Sequence, residues 1–320
     1  MIALVCVDGT AMSLEMDPDE YDKVMRGSHT RMVYLQWPNS HQAYFRGPTV
    51  DGFKTREIAE KAAESARKLR GLPGVTRLFM FGHSRGGAAI IHAARILQEQ
   101  NILIEFMGLF DAVQMTTTVD AAVVPENVLM VRHARRNPSA RSRPGWGNCG
   151  TRTAAVLPNY AERFFFCTHG AVGGTPYPRE YADHRGFIHE AGEHLSTKVT
   201  ARDDERGSKS VWEYMKEEIK TAKQWYEIPW DGKPGTGKPG NGKPGNEVTH
   251  TVATGESLSL IAGKFWKDVL LWPILYDRNK TVVGSNHNLI KPGQKLLIPD
   301  LSTYTPRQLN DARARGRAWR

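Results

Sequence analysis

The sequence predicts an α/β protein, a largely parallel sheet flanked by helices, followed by a small α+β module of strand, two helices and strand. Three observations predict it. Strand-like and helix-like segments alternate through residues 1–228. A glycine-, lysine- and proline-rich stretch interrupts the chain at 229–247, and a short patterned segment follows at 248–300. Strand–helix alternation of this kind builds a sheet with helices on both faces.

The elements follow in order. Ile2 to Val7 is an unbroken apolar run of buried-strand type. Arg56 to Arg70 carries alanines and charges at helical spacing and stops at Gly71. Thr76 to Phe81 is a second apolar strand. Gly86 to Gln98 reads as a helix, with Ile90, Ile91, Ala94 and Leu97 on one face. Ile102 to Phe110, Val128 to Val131 and Arg163 to Thr168 are read as the third, fourth and fifth strands. Ser208 to Tyr226 reads as a closing amphipathic helix capped by Ser208 or Ser210. The repeats Gly232-Lys233-Pro234-Gly235, Gly237-Lys238-Pro239-Gly240 and Gly242-Lys243-Pro244-Gly245 cannot form a packed helix or strand. They predict a tether spanning about 20 Å if coil-like. The residues 301–320 form a basic tail, expected to be disordered.

Composition narrows the function classes. The 320 residues suffice for two domains, and no apolar run is long enough for a membrane-spanning helix. The start lacks a basic n-region and meets Asp8 at once, so no signal peptide is expected. Synthesis in the cytoplasm is expected, and export by a route without a cleaved signal stays open. The net charge of +9 suits nucleic acid, anionic lipid or an acidic glycan, and equally plain solubility. No nucleic-acid-binding motif accompanies it, so nucleic acid is not an expected partner. Three widely spaced cysteines make neither a disulfide framework nor a zinc pattern. Cys6 and Cys167 sit in apolar runs and are expected to be buried thiols.

Gly82-His83-Ser84-Arg85-Gly86 lies between a strand and a helix, the setting of a nucleophile elbow. A sharp turn needs small residues two positions either side of the serine. The following helix can aim the Arg85 backbone N–H at a developing oxyanion. A second donor is expected from Gly9 or Thr10, after the first strand. In this kind of site the acid and then the histidine follow the serine along the chain. Asp111 ends an apolar strand, and His169 precedes a glycine-rich loop. Ser84, Asp111 and His169 are therefore the expected catalytic residues, with His184, His189 and His194 as rivals for the base. Those three histidines are five apart, not at the i, i+4 spacing of helical metal ligands, and no metal or other cofactor is expected.

Taken together, Val7-Asp8-Gly9-Thr10, Tyr44-Phe45-Arg46-Gly47-Pro48, Gly82-His83-Ser84-Arg85-Gly86-Gly87, Leu109-Phe110-Asp111-Ala112-Val113 and His169-Gly170-Ala171-Val172-Gly173-Gly174 resemble the motifs of the DUF2235 hydrolases. That family includes the Tle1-like phospholipase effectors of type VI secretion systems. The resemblance spans most of residues 1–200 in the same order. It implies an α/β-hydrolase fold, lipase or phospholipase chemistry, and Ser84, Asp111 and His169 as the triad. The sequence departs from the family at His83, where Phe is usual, and at Gly170-Ala171, where Ser-Asp is usual.

Residues 248–299 resemble a LysM domain. The matching stretches run from His250 to Leu258, through Ile261-Ala262 and Trp272 to Tyr276 with Asn279, to Leu289–Pro299. Gly255 serves the first turn, and Pro292-Gly293 a tight turn before the last strand. The resemblance implies binding of peptidoglycan through Gly255, Glu256, Ser257, Leu258, Asn279, Leu289 and Ile290.

Three functional readings follow. The first is an antibacterial effector that cleaves membrane phospholipid, or another acyl ester, in a target cell's periplasm, held there by peptidoglycan. The resemblance adds a secretion-apparatus component and an immunity protein as partners. The second is an esterase or amidase acting on the cell-wall polymer. The third is a non-catalytic peptidoglycan-binding adaptor, against which the intact Ser-Asp-His order argues.

Overall fold

The computed structural model describes residues 1–10, 18–38, 40–48, 52–154, 160–227, 248–253, 256–266, 268–301, 304, 308–309, 311–312 and 315–316. The repeats within 229–247, Gly255 and the ends of the basic tail lie outside the described residues. The chain divides into two compact units, Met1–Ala222 and Lys223–Arg320.

In the first unit six strands form one sheet in the order β2-β1-β3-β4-β5-β6. They are β1 (Ile2–Val7), β2 (Gln42–Phe45), β3 (Arg77–His83), β4 (Phe106–Phe110), β5 (Val131–Arg136) and β6 (Tyr160–Phe165). Every pairing is parallel. The helices are α1 (Pro18–Val24), α2 (His29–Leu35), α3 (Thr55–Arg70), α4 (Arg85–Glu99), the one-turn α5 (His169–Val172) and α6 (Ala201–Glu227). This is the α/β architecture expected of the sequence.

Alternation along the strands sorts two apolar layers. Ala3, Val5, Val7, Leu78, Met80, Met107 and Leu109 belong to the core shared with α3 and α4. Those helices bring small faces, Ala59, Ala62, Ala63 and Ala66 from one and Ala88, Ala89, Ala93 and Ala94 from the other. Small side chains let the two helices approach closely. On the other face, β3 and β4 contribute aromatic residues. Phe79 packs on Trp37 and Phe106, Phe81 on Phe106, and Phe110 on His29. Each such buried ring contributes roughly 1.5–3 kcal/mol.

The order places a switch point between β1 and β3, since the chain winds outward from them in opposite directions. The loops leaving the two strands run to opposite sides there, the place where sheets of this kind bind their ligands. Asp8 leaves β1 on one side of it and Ser84 leaves β3 on the other.

Several elements differ from the sequence expectation. The third strand begins at Phe106, not Ile102, because Glu105 Oε2 rather than a backbone carbonyl takes the Leu78 N–H at 2.7 Å. The fourth strand is the polar run Val131–Arg136, beginning where the expected Val128–Val131 ends. Its arginines are tolerated because each meets a carboxylate: Arg132 with Glu218, Arg135 with Glu162 and Arg136 with Asp111. The fifth strand stops at Phe165, since Asp204 draws Thr168 out of the ladder by its N–H (2.6 Å) and hydroxyl (2.9 Å). The closing helix starts at Ala201, a full two turns before Ser208. Thr200 Oγ1 accepts the Asp203 N–H at 3.2 Å and does the capping expected of Ser208 or Ser210. Helices α1 and α2 and strand β2 were not read from the sequence as elements at all.

In the second unit β7 (Val248–Thr251) pairs antiparallel with β8 (Lys295–Ile298), and α7 (Leu258–Trp266) and α8 (Trp272–Val283) lie between them in sequence. The core gathers Leu258, Ile261, Trp272, Leu275, Tyr276 and Leu296. Gly293 has φ +86° and the Gln294 N–H returns to Lys291 O, as a Pro-Gly turn requires. The tail departs from expectation. Its described residues are folded onto the module, with Ala312 buried against Leu271 and Ile274, and Arg315 paired with both oxygens of Asp277.

Candidate functional site

The elbow is built where β3 meets α4. Ser84 sits at φ 55°, a strained left-handed backbone, and is 3% exposed. The glycines around it are required by close approach. A Cβ on Gly86 would lie 2.2 Å from the Asp8 carbonyl oxygen, and one on Gly82 2.6 Å from the Gly86 oxygen. Asp111, at the end of β4, is likewise left-handed, with φ 44°. His133 steadies that turn by accepting the Ala112 N–H at 3.1 Å.

The structure brings Ser84, His169 and Asp111 together. His169 Nε2 lies 2.9 Å from Ser84 Oγ, and His169 Nδ1 lies 2.7 Å from Asp111 Oδ2. An ionised carboxylate only accepts, so Nδ1 carries the proton and Nε2 accepts the serine O–H. The rivals His184, His189 and His194 are all exposed on the surface. His169 does not end a strand. It opens α5, whose first turn is capped by Thr168 Oγ1, while Ser142 Oγ accepts its N–H at 2.7 Å. Burial would raise the Asp111 carboxyl, but the hydrogen bond and charge of His169 and the Arg136 guanidinium hold it well below the usual carboxylate range. Burial draws the His169 imidazole down, against the Asp111 hydrogen bond, with Arg136 and Arg143 adding to the burial.

Arg85 is the first residue of α4, whose opening N–H groups have no acceptors within the helix. The expected donor at Gly9 is corrected: its N–H is taken by Asp8 Oδ1 at 2.8 Å. Among the loop's described residues the candidate donor left is the N–H of Thr10, whose side-chain oxygen also accepts Arg85 Nη1 at 3.1 Å. Asp8 itself is wholly buried and shapes this loop, since Ser28 Oγ (2.5 Å) and Tyr44 OH (2.8 Å) donate to its second oxygen.

His83 was not assigned a role from the sequence. Its ring fills a slot between two glycines: a Cβ on Gly173 would fall 2.1 Å from it and a Cβ on Gly9 2.3 Å. It lies 5.1 Å from the His169 ring between centroids. Burial holds it neutral, down to about 3. A flat, uncharged ring thus fills this position.

Arg136, Asn148, Ser142, Glu190 and Asp204 support the constellation and had no sequence signal, because each acts across strands or loops far apart in the chain. Asn148 Nδ2 donates to Asp111 Oδ1 at 2.8 Å, and Ser142 Oγ donates to Glu190 at 2.9 Å. Among the described residues, no group of three His, Cys, Asp or Glu side chains could hold a metal ion. All three cysteines are free and buried.

In the second unit the expected glycan-contact residues separate. Leu289 is exposed and Ile290 half-buried. Glu256 faces inward along its loop, accepting from Ala253 N–H at 2.8 Å and lying 2.6 Å from His250 Nε2. Ser257 caps α7 through Leu260 N–H. Two side chains are corrected. Leu258 is a core residue, and Asn279 is 2% exposed, donating to Leu275 O and Leu297 O and accepting the Leu297 N–H. Both hold the module together rather than face a ligand.

No curated protein matches the chain. A solved structure of the Tle1 effector bound to the VgrG spike from the Type 6 secretion system matches at 13% identity, over 99% of this chain and 79% of that one. Its TM-score of 0.34 is too low for the likeness to bear on fold or activity. Residues 250–299 match the family model of the LysM domain.

Proposed function

We propose that residues 1–228 are a serine hydrolase of carboxylic esters, joined by the tether 229–247 to a peptidoglycan-binding module at 248–300. The observation that carries the reading is the continuous hydrogen-bonded line from Ser84 Oγ through His169 to Asp111. In this reading His169 Nε2 takes the serine proton as Oγ attacks the acyl carbon. The oxyanion forms before the N–H groups of Arg85 and Thr10. His169 then gives the proton to the leaving alcohol, and water repeats the sequence to free the acid. Asp111 stays ionised throughout and stabilises the imidazolium.

The substrate is membrane phospholipid in this proposal, on the strength of the motif resemblance to the DUF2235 hydrolases. The LysM match supports anchoring on peptidoglycan, in the space next to the membrane. Tethering there raises the local concentration of substrate without any new contact at the site. An antibacterial effector of this design works in the target cell's periplasm, travels with a component of a type VI secretion apparatus and is matched by an immunity protein in the producer.

The test is hydrolysis of short-chain esters, phospholipid vesicles and purified peptidoglycan by wild type and Ser84→Ala. Fatty acid released from vesicles by wild type alone supports the reading, with a loss of about 10⁴-fold or more in the variant. Serine-dependent release from peptidoglycan but not from lipid replaces it with a cell-wall esterase. No serine-dependent turnover anywhere removes the enzyme and leaves a glycan-binding adaptor.

A further inference from the structure

Asp111 has more partners than a bond to His169 requires. Its Oδ2 meets both His169 Nδ1 at 2.7 Å and Arg136 Nη1 at 2.5 Å. Its Oδ1 accepts Asn148 Nδ2 at 2.8 Å and the Arg136 backbone N–H at 3.3 Å. Arg136 is 7% exposed and engaged at every guanidinium nitrogen. Nε donates to Ser142 O at 2.9 Å, and Nη2 to Trp146 O at 2.6 Å and Arg143 O at 3.2 Å. Ser142 closes the circuit by accepting the His169 N–H. One fixed cation therefore shares a carboxylate oxygen with the imidazole and also pins the segment that lies over it.

A lone carboxylate beside a histidine favours the imidazolium. A guanidinium on that same carboxylate offsets part of the effect and never loses its own charge. We propose that Arg136 is a positioning residue that sets the pH range of the base, keeping His169 neutral and ready to accept the Ser84 proton in mildly acidic surroundings. The inference rests on the serine-hydrolase reading.

Of the other groups around His169, Arg143 acts in the same sense but pairs with Glu190 and Glu193 rather than with Asp111. Arg143 stands over the Trp146 ring at 4.7 Å, and that ring meets His169 edge-on at 5.1 Å. Its charge is shared with Glu190 at 3.7 Å and Glu193 at 3.3 Å. His83, from β3, is neutral. His29 of α2, bonded to Val172 O, is also held neutral by burial, down to about 4. Asp204 of α6 reaches the histidine turn only through Thr168, and Glu190 only through Ser142. Tyr177 lies beyond Arg143. Asp111 is thus the anion on the imidazole and Arg136 the cation on that anion.

The test is the pH dependence of kcat/KM on the fastest ester for wild type, Arg136→Lys, Arg136→Met and Arg136→Gln. It is paired with NMR titration of the His169 ring in the full chain. The wild-type acid limb is expected below the ordinary imidazole value of about 6.5. The Lys variant keeps it there, and the neutral variants move it up by about one pH unit. A uniform fall in rate with an unmoved limb makes Arg136 a scaffold residue only and overturns the proposal. If the neutral variants do not fold, a wild-type limb at or above about 6.5 still overturns the proposal, since burial and Arg136 both act to lower it. If no ester is turned over, the enzyme reading fails by itself. The ring titration still judges Arg136, by whether His169 titrates below the ordinary value in wild type and higher in the neutral variants.

Discussion

The carbonyl of Ser84 accepts the backbone N–H of Val113 at 3.1 Å, while the Ser84 N–H donates to Phe110 O at 3.1 Å. Ser84 and Asp111 are therefore tied through the main chain as well as through His169. Both lie at left-handed φ, and each turn holds the other in that conformation.

This tie predicts that Asp111→Asn keeps the fold. The backbone bonds remain, an amide oxygen at the Oδ1 position still accepts Asn148 Nδ2 and the Arg136 backbone N–H, and the Arg136 guanidinium keeps its bonds to the Ser142, Arg143 and Trp146 carbonyls. The amide cannot hold the imidazole in the required tautomer, so kcat should fall by about 10⁴. Circular dichroism and ester kinetics on the same sample check it. A variant within tenfold of wild type would remove Asp111 from the mechanism.

The His83 slot predicts a repairable clash. Gly173→Ala puts a methyl group into a buried ring that has no room to move, at roughly 1–3 kcal/mol in stability. His83→Ala vacates the slot, so the double variant should recover much of that loss. Urea midpoints of wild type, both single variants and the double variant decide the matter. Strict additivity would mean that the two positions do not compete for space.

Glu105 predicts a pH effect of defined sign. Burial raises its carboxyl from 4.5 to about 7. Its stabilising share is therefore complete below pH 4.5 and is lost as pH rises through about 7. Glu105→Gln keeps an oxygen for the Leu78 N–H and carries no charge. Relative to wild type it should gain roughly 2.5 kcal/mol between pH 5 and pH 8. Unfolding in urea at both values measures the gain, and an equal difference at the two pH values would refute it.

The folded tail predicts that removing residues 308–320 weakens the second unit. Leu271 and Ile274 lose the cover of Ala312 and Leu309, worth about 1–2 kcal/mol. The exposed Arg315–Asp277 pair adds less than about 1 kcal/mol. Hydrogen exchange of α8 amides in full-length and shortened chains should show faster opening in the shorter one. Unchanged protection would make the tail a passive appendage.

Much was legible in the sequence where the signal is local. The apolar runs at Ile2–Val7 and Thr76–Phe81, the glycines around Ser84 and the alanine-rich helices announce themselves through composition and spacing. The Pro292-Gly293 turn does so too, because only certain residues fit such a turn. Ser84 and Asp111 could be picked out because each follows an apolar strand, and His169 because it precedes a glycine-rich loop later in a recognisable order.

What the sequence hid is what depends on partners far along the chain. The polar run Val131–Arg136 reads poorly as a strand until Glu218, Glu162 and Asp111 are seen to meet its arginines. Leu258 and Asn279 look like ligand contacts by position, and only packing places one in a core and the other across a helix and a strand. Arg136 shows no mark in the sequence of the Asp111 oxygen it shares with His169. The sequence by itself determined the alternating strands and helices, the elbow and the order of the three catalytic candidates. These are properties of backbone preference and apolar periodicity within a few residues. Only the tertiary structure decided which buried charges share Asp111, which donor Gly9 surrenders and where His83 fits. Burial and pairing are set by what the fold brings within a few ångströms, whatever the distance in sequence.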